Sequence, residues 1–307
     1  MPKLFVLKTK LINWLLFAAL SFIWGSSFVL MKEGLKSLSA YEVATIRILS
    51  AGIVLIPFTY KALKEIPKQK LGLIILSGLL GSFFPAFLFC LAETKIDSAL
   101  AGILNALTTL FAFIIGILFY EMKAELKKII GIVVGFIGLL ILFGGNGKID
   151  LKNTEYASLI LIATIFYGVN VNMVGKHMKG ISSLNIATLA FVFLIIPCII
   201  ILWFTGFFAL PFNTANIVSI SASSVLGIMG TAVASILFYM LIKRAGALFS
   251  SMVTYGIPFV AVFWGIVLGE EITFMQLFSL GIILLGVYIT NYNKNPFSKK
   301  AGVVRRD

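Results

Sequence analysis

Apolar runs of about 20 residues, cut by short polar or Gly-, Pro- and Asn-bearing connections, recur along this 307-residue chain. A bilayer core is crossed by about 20 apolar residues in helical form. The pattern predicts ten such spans, at 12–31, 41–60, 71–92, 97–119, 127–145, 155–175, 183–205, 217–241, 247–268 and 273–292. No connection is long enough to fold as a soluble domain, and the charged stretch 293–307 reads as a mobile basic tail. The opening run, with its lysines ahead of an apolar segment, imitates a signal peptide. Its apolar part continues past the 7–15 residues of a signal core, so it reads as an uncleaved first span. Trp14, Tyr60, Trp203 and Tyr292 lie near span ends, where aromatic side chains anchor at the membrane interface.

Composition agrees with an all-α integral membrane protein. The chain is 60% hydrophobic and 12% charged, with a mean hydropathy of +1.06. Soluble domains run at about 45–50% apolar and about 25% charged. A net charge of +13 would suggest nucleic acid in a soluble chain, but here the charge alternates with the spans. Nineteen Lys and Arg fall in connections on one side and five on the other, with Arg47 inside a span. The positive-inside bias then places both termini in the cytoplasm of a multi-pass cell-membrane protein and leaves no nucleic-acid partner. Cys90 and Cys198 sit in apolar segments, and the single His177 lies among lysines in a connection. Metal sites gather several such ligands; neither a metal nor a cofactor is expected.

The two halves repeat each other. SFIWGSSFVLM (21–31) overlies TIFYGVNVNMV (164–174) at an offset of 143, matching Trp24 with Tyr167, Gly25 with Gly168 and Ser27 with Asn170. GLLGS (78–82) overlies GIMGT (227–231) at an offset of 149, and that register carries Asn105 to Thr254 and Glu121 to Glu270. Five spans per half is an odd number, so the halves, 1–148 and 149–292, are expected to insert in opposite senses around a central cavity. Inverted repeats are a signature of secondary transporters, with the substrate site near the midplane.

The stretches WGSSFVLMK (24–32), SAYEVATIRILSAG (39–52) and GIMGTAVASILFYMLIKRAGALFSSMVTYGIPFVAVFWGIVLGEEIT (227–273) carry a resemblance to a known family. Over nearly its whole length the chain resembles the EamA-type branch of the drug/metabolite transporter superfamily. The resemblance implies ten helices around a central cavity and export of small metabolites or amino acids. One departure is Thr109, standing where the second repeat has Pro258, so helix four is expected to lack the kink of helix nine.

Polar side chains in a membrane turn toward the bundle or toward water. Trp24 and Ser27, three residues apart, share a helical face, as do their counterparts Tyr167 and Asn170. Asn105 with Thr108 or Thr109 marks a face of helix four, and Ser251, Thr254, Tyr255 and Pro258 mark helix nine. Ser82, Thr231, Ser235 and Tyr239 add polarity in helices three and eight. These are the candidate substrate contacts, with Pro258 the candidate hinge; hydroxyls also serve as ordinary helix-to-helix bonds. Gly78, Gly81, Gly135, Gly138, Gly227 and Gly230 have the spacing of close helix contacts.

Arg47 stands apart from all of these. A guanidinium at mid-span costs about 2.5–3.5 kcal/mol on insertion scales. It either snorkels outward, pairs with Glu42, Glu93 or Asp97, or faces the cavity and meets a substrate carboxylate or phosphate. The second repeat has Ala190 in its place, which argues against a purely architectural need. No carboxylate sits at mid-span, which favours facilitated diffusion or exchange, or coupling through a peripheral acid such as Glu42. A channel-like pore would show charge rings or carbonyl filters, and a membrane enzyme would show a nucleophile–base pair. Neither pattern is present in the sequence, and a non-transporting receptor is a further alternative. The sequence sets no oligomeric state.

Overall fold

The computed structural model describes residues 2–122, 126–144, 151–251, 253–269 and 272–291. Among these residues the chain is helical, without strands. Eight helices are long and apolar enough to cross a membrane. They are α1 (Pro2–Gly34), α2 (Ala40–Glu65), α3 (Lys68–Ala92), α4 (Leu100–Phe119), α6 (Leu151–His177), α7 (Ser183–Phe204), α8 (Thr214–Ala247) and α9 (Phe249–Val267). Two more, α5 (Leu126–Gly144) and α10 (Phe274–Asn291), carry shorter apolar stretches, Ile129–Gly138 and Phe274–Gly286. Glu270, Tyr292 and the tail 293–307 lie outside the described residues.

The protein wears its large apolar side chains on the outside. Phe204, Ile196, Leu118 and Phe274 are exposed, as are Trp14, Tyr60 and Trp203. Soluble monomers do not display contiguous surface of this kind. It is a multi-pass membrane protein.

Helix contacts come in matched pairs. The α1–α9 contact has its counterpart in α6–α4, α3–α6 in α8–α1, and α2–α8 in α7–α3. The α2–α7, α4–α9 and α5–α10 pairings each join a helix to its own counterpart. Glycines set these distances at equivalent places. A methyl group on Gly78 would strike the carbonyl of Ala190, and one on Gly227 would strike the carbonyl of Arg47, the residue matched to Ala190. Likewise Gly81 abuts the Asn170 side chain, and Gly230 abuts the Ser27 side chain. Gly135 meets Gly286, bringing α5 and α10 together. These contacts are the small-residue packing that membrane helices use in place of a hydrophobic drive.

Helices α3, α4 and α8 break beside cavity-lining groups, and α7, which contributes no liner, breaks as well. Widened π-type turns occupy Leu79–Phe83 in α3 and Leu226–Val233 in α8, at matching positions of the two halves. In α3, Pro85 has no N–H for the carbonyl of Gly81 four residues earlier, and the Ser82 hydroxyl donates to that carbonyl at 2.8 Å. The second half forms its wide turn with Ala234 at the position matched to Pro85, so proline is not its sole cause. In α7 a break at Phe193–Leu194 precedes Pro197 by one turn. Helix α4 departs from expectation. It breaks at Ala106–Leu107 although Thr109 replaces the proline, because the amides of Ala106 and Leu107 bond three residues back, to Ile103 and Leu104, tightening the turn.

Candidate functional site

A cavity lies where α1, α2, α3, α4, α6, α8 and α9 converge. It holds about 870 Å³ of empty space, of which about 100 Å³ is open to the centres of water-sized molecules. One water needs roughly 10–15 Å³ on the latter measure, so this conformation is constricted and holds several waters or a slender solute.

Of the residues singled out in the sequence, Trp24, Ser27, Arg47, Ser82, Asn105, Tyr167, Asn170, Tyr239 and Thr254 line this cavity, together with Thr108, Ser235 and Ser251. Thr109, Thr231 and Tyr255 do not. Thr109 bonds the Thr254 hydroxyl at 2.8 Å and donates to the Ser251 carbonyl at 2.9 Å, joining α4 to α9. Thr231 stands one layer back and accepts a bond from Arg47. The cavity also has apolar liners that the sequence pattern did not single out, chiefly Phe28, Met31, Phe89, Val171, Phe238 and Ile257. Pro258 lies inside α9 beside this wall and is not itself a liner.

The polar groups are held by bonds across the two halves. Trp24 donates its indole N–H to the Gly230 carbonyl at 3.0 Å, and its ring meets Phe238 edge-on at 5.0 Å. Ser77 donates to Asn170 Oδ1 at 2.6 Å and lies 3.3 Å from the Tyr239 hydroxyl, linking α3, α6 and α8. Asn172 donates to the carbonyls of Ala112 and Gly168, tying α6 to α4 beneath the cavity.

Arg47 is buried, and its Nε–H donates to Thr231 Oγ1 at 2.7 Å. The acids expected as its partners make other contacts. Glu42 closes a capping box with Ser39 at the start of α2, Asp97 pairs with Lys32 at 3.6 Å, and Glu93 receives the Ser98 hydroxyl at 3.5 Å. Among the described residues no carboxylate pairs with Arg47, and its Nη groups have no protein acceptor. A guanidinium carries five donors. One is used by Thr231, and Arg47 lines the cavity.

The fold and this central cavity are those of a multi-pass membrane protein, and comparison with known proteins specifies its family. The chain belongs to the EamA-like transporter family, whose profile matches it twice, over residues 11–144 and 155–292. An uncharacterized inner membrane transporter of Escherichia coli K12, YedA, is 25% identical over 92% of this chain and 91% of its own. A probable amino-acid metabolite efflux pump of Salmonella typhimurium is 25% identical over 87% of this chain and 90% of its own. A solved crystal structure shares the fold with a TM-score of 0.61 at 14% identity, over 92% of this chain and 96% of that one.

Proposed function

We propose that this protein is a secondary transporter that exports small solutes bearing one carboxylate, such as zwitterionic amino acids and related metabolites. Residues 1–148 and 149–292 are read as inverted five-helix halves, ten helices in all, rocking around the central cavity with both termini cytoplasmic. The matched helix contacts and the double family match support the inverted arrangement. The efflux relative supports the direction.

The observation that carries the substrate class is Arg47. A buried charge without an ionic partner is costly, and this one lines a cavity with no carboxylate among its liners. One cation selects one anionic group, and the planar fork fits a carboxylate. The absence of an acidic liner disfavours a net-cationic solute. Hydroxyl and amide oxygens of Ser235, Thr254 and Asn105 offer acceptors to an ammonium, and Phe28, Met31, Phe89 and Phe238 receive an apolar body. Thr109, Thr231 and Tyr255 serve this site from behind, through helix contacts.

A thermal-stability screen tests the class. A ligand that binds the folded state raises its stability, by about 2.7 kcal/mol at a hundredfold excess over Kd. Neutral amino acids and monocarboxylates are expected to raise the melting temperature of the purified protein, and the matching decarboxylated amines are expected to leave it unchanged. Equal shifts by acids and amines would contradict the assignment.

A further inference from the structure

A second cavity opens at the ends of α4, α6 and α8, on the side of the lysine-rich connections. It holds about 1320 Å³ of empty space, against about 870 Å³ for the central cavity. Its walls include Tyr120, Asn172, Val174, Ile242 and Ala247, and three lysines, Lys176, Lys179 and Lys243, converge on it. Glu121 is the one acid among its described liners. It lies 3.6 Å from Lys176 but is 92% exposed, so water screens the pair. Lys243 donates to the neutral carbonyl of Ile181, which fixes the ammonium without cancelling its charge. Lys176 lies 5.5 Å above the Tyr120 ring, again a neutral partner.

The position of this chamber gives the charge a use. Two of the helices that bound it, α6 and α8, also line the central cavity about one turn further in. Asn170 and Val171 face the cavity while Asn172 and Val174 face the chamber, and Tyr239 precedes Ile242 in the same way. One turn is a rise of about 5.4 Å. Between the two spaces stand the Asn172 bonds to α4 and the Ser77–Asn170–Tyr239 group. Lysines scattered over a cytoplasmic face need no function beyond orientation. Three around one chamber, in line with a cavity that presents a single arginine, make an electrostatic funnel.

We propose that this chamber is a loading site for soluble carboxylates: Lys176, Lys179 and Lys243 capture the anionic group of the solute before it passes inward to Arg47. The identity of the ligand rests on the carboxylate reading above; the positive chamber does not.

The test uses the full chain in detergent with Cys90→Ala, Cys198→Ala and Ala247→Cys, so that one thiol reports from the chamber wall. An anionic sulfonatoethyl methanethiosulfonate is expected to modify it roughly tenfold faster than the cationic trimethylammonium analogue, after correction for reactivity with a free thiol. Lys176→Gln/Lys179→Gln/Lys243→Gln should erase the preference, and the three Lys→Arg changes should retain it, separating charge from misfolding. Sodium benzoate should protect the thiol while tetramethylammonium chloride at equal ionic strength does not. Equal rates for the two reagents, or no protection by benzoate, would overturn the proposal. So would protection by phosphatidylglycerol added to the micelles without protection by benzoate, which would assign the lysines to a lipid headgroup. Arg47→Gln should leave every chamber result unchanged, so a failed central site and a failed chamber are told apart.

Discussion

Arg47→Gln is expected to weaken binding of a carboxylate solute by about 2–5 kcal/mol, the usual cost of truncating one partner of a buried charge pair. At about 1.4 kcal/mol per tenfold, that is a loss of roughly 30-fold or more in affinity, and transport at ordinary concentrations should disappear. Stability should respond in the opposite sense. The arginine is buried with a hydroxyl as its one protein partner among the described residues. Removing a buried unpaired charge is neutral or stabilising, so the solute-free variant should melt at the wild-type temperature or above it. Arg47→Lys keeps the charge but loses both the planar fork and the Nε bond to Thr231, and should impair transport more than folding. The readouts are flux in proteoliposomes and melting temperature of the purified variants. A variant that melts well below wild type while still binding carboxylates would mark the arginine as structural.

The second large effect is expected at Trp24. This ring lines the cavity, packs on Phe238 and bonds the backbone of α8 at Gly230, inside the wide turn. Trp24→Ala removes all three contacts and should cost up to about 3–5 kcal/mol of stability, the range for a fully buried large aromatic, since this ring is half-buried. Trp24→Phe keeps the ring but leaves the Gly230 carbonyl without the indole donor, for a loss of roughly 1–3 kcal/mol. Melting temperatures of the two variants separate packing from the hydrogen bond. If both equal wild type, the tie between α1 and α8 carries no energy.

Much of this architecture was legible because rare residues stand out against an apolar chain. The offset of 149 matches Gly78 with Gly227, and each abuts a carbonyl, of Ala190 and Arg47, that the offset of 143 matches. Trp24, Asn105, Tyr167 and Asn170 were found by the same reasoning: an amide or aromatic polar group in a span needs somewhere to turn. What that reasoning misses is direction. Thr109 and Thr231 are as polar as Thr254, yet they bond neighbours behind the cavity wall, and periodicity does not say which neighbour stands there. Phe28, Met31, Phe89 and Phe238 were invisible for the converse reason. In a membrane helix both the lipid face and an apolar cavity wall are hydrophobic, so the pattern carries no contrast between them. The wide turns and the break at Ala106–Leu107 shift which face points inward, and a sequence without proline at those places gives no warning of them.

The central claim is that one cavity with one arginine serves both sides of the membrane in turn. Counterflow in proteoliposomes tests it most directly. Vesicles preloaded with an unlabelled neutral amino acid that raises the melting temperature should accumulate the labelled form transiently above its outside concentration. That uptake should saturate and should vanish in Arg47→Gln. Flux that rises linearly with concentration, shows no counterflow and persists without the arginine would contradict the account.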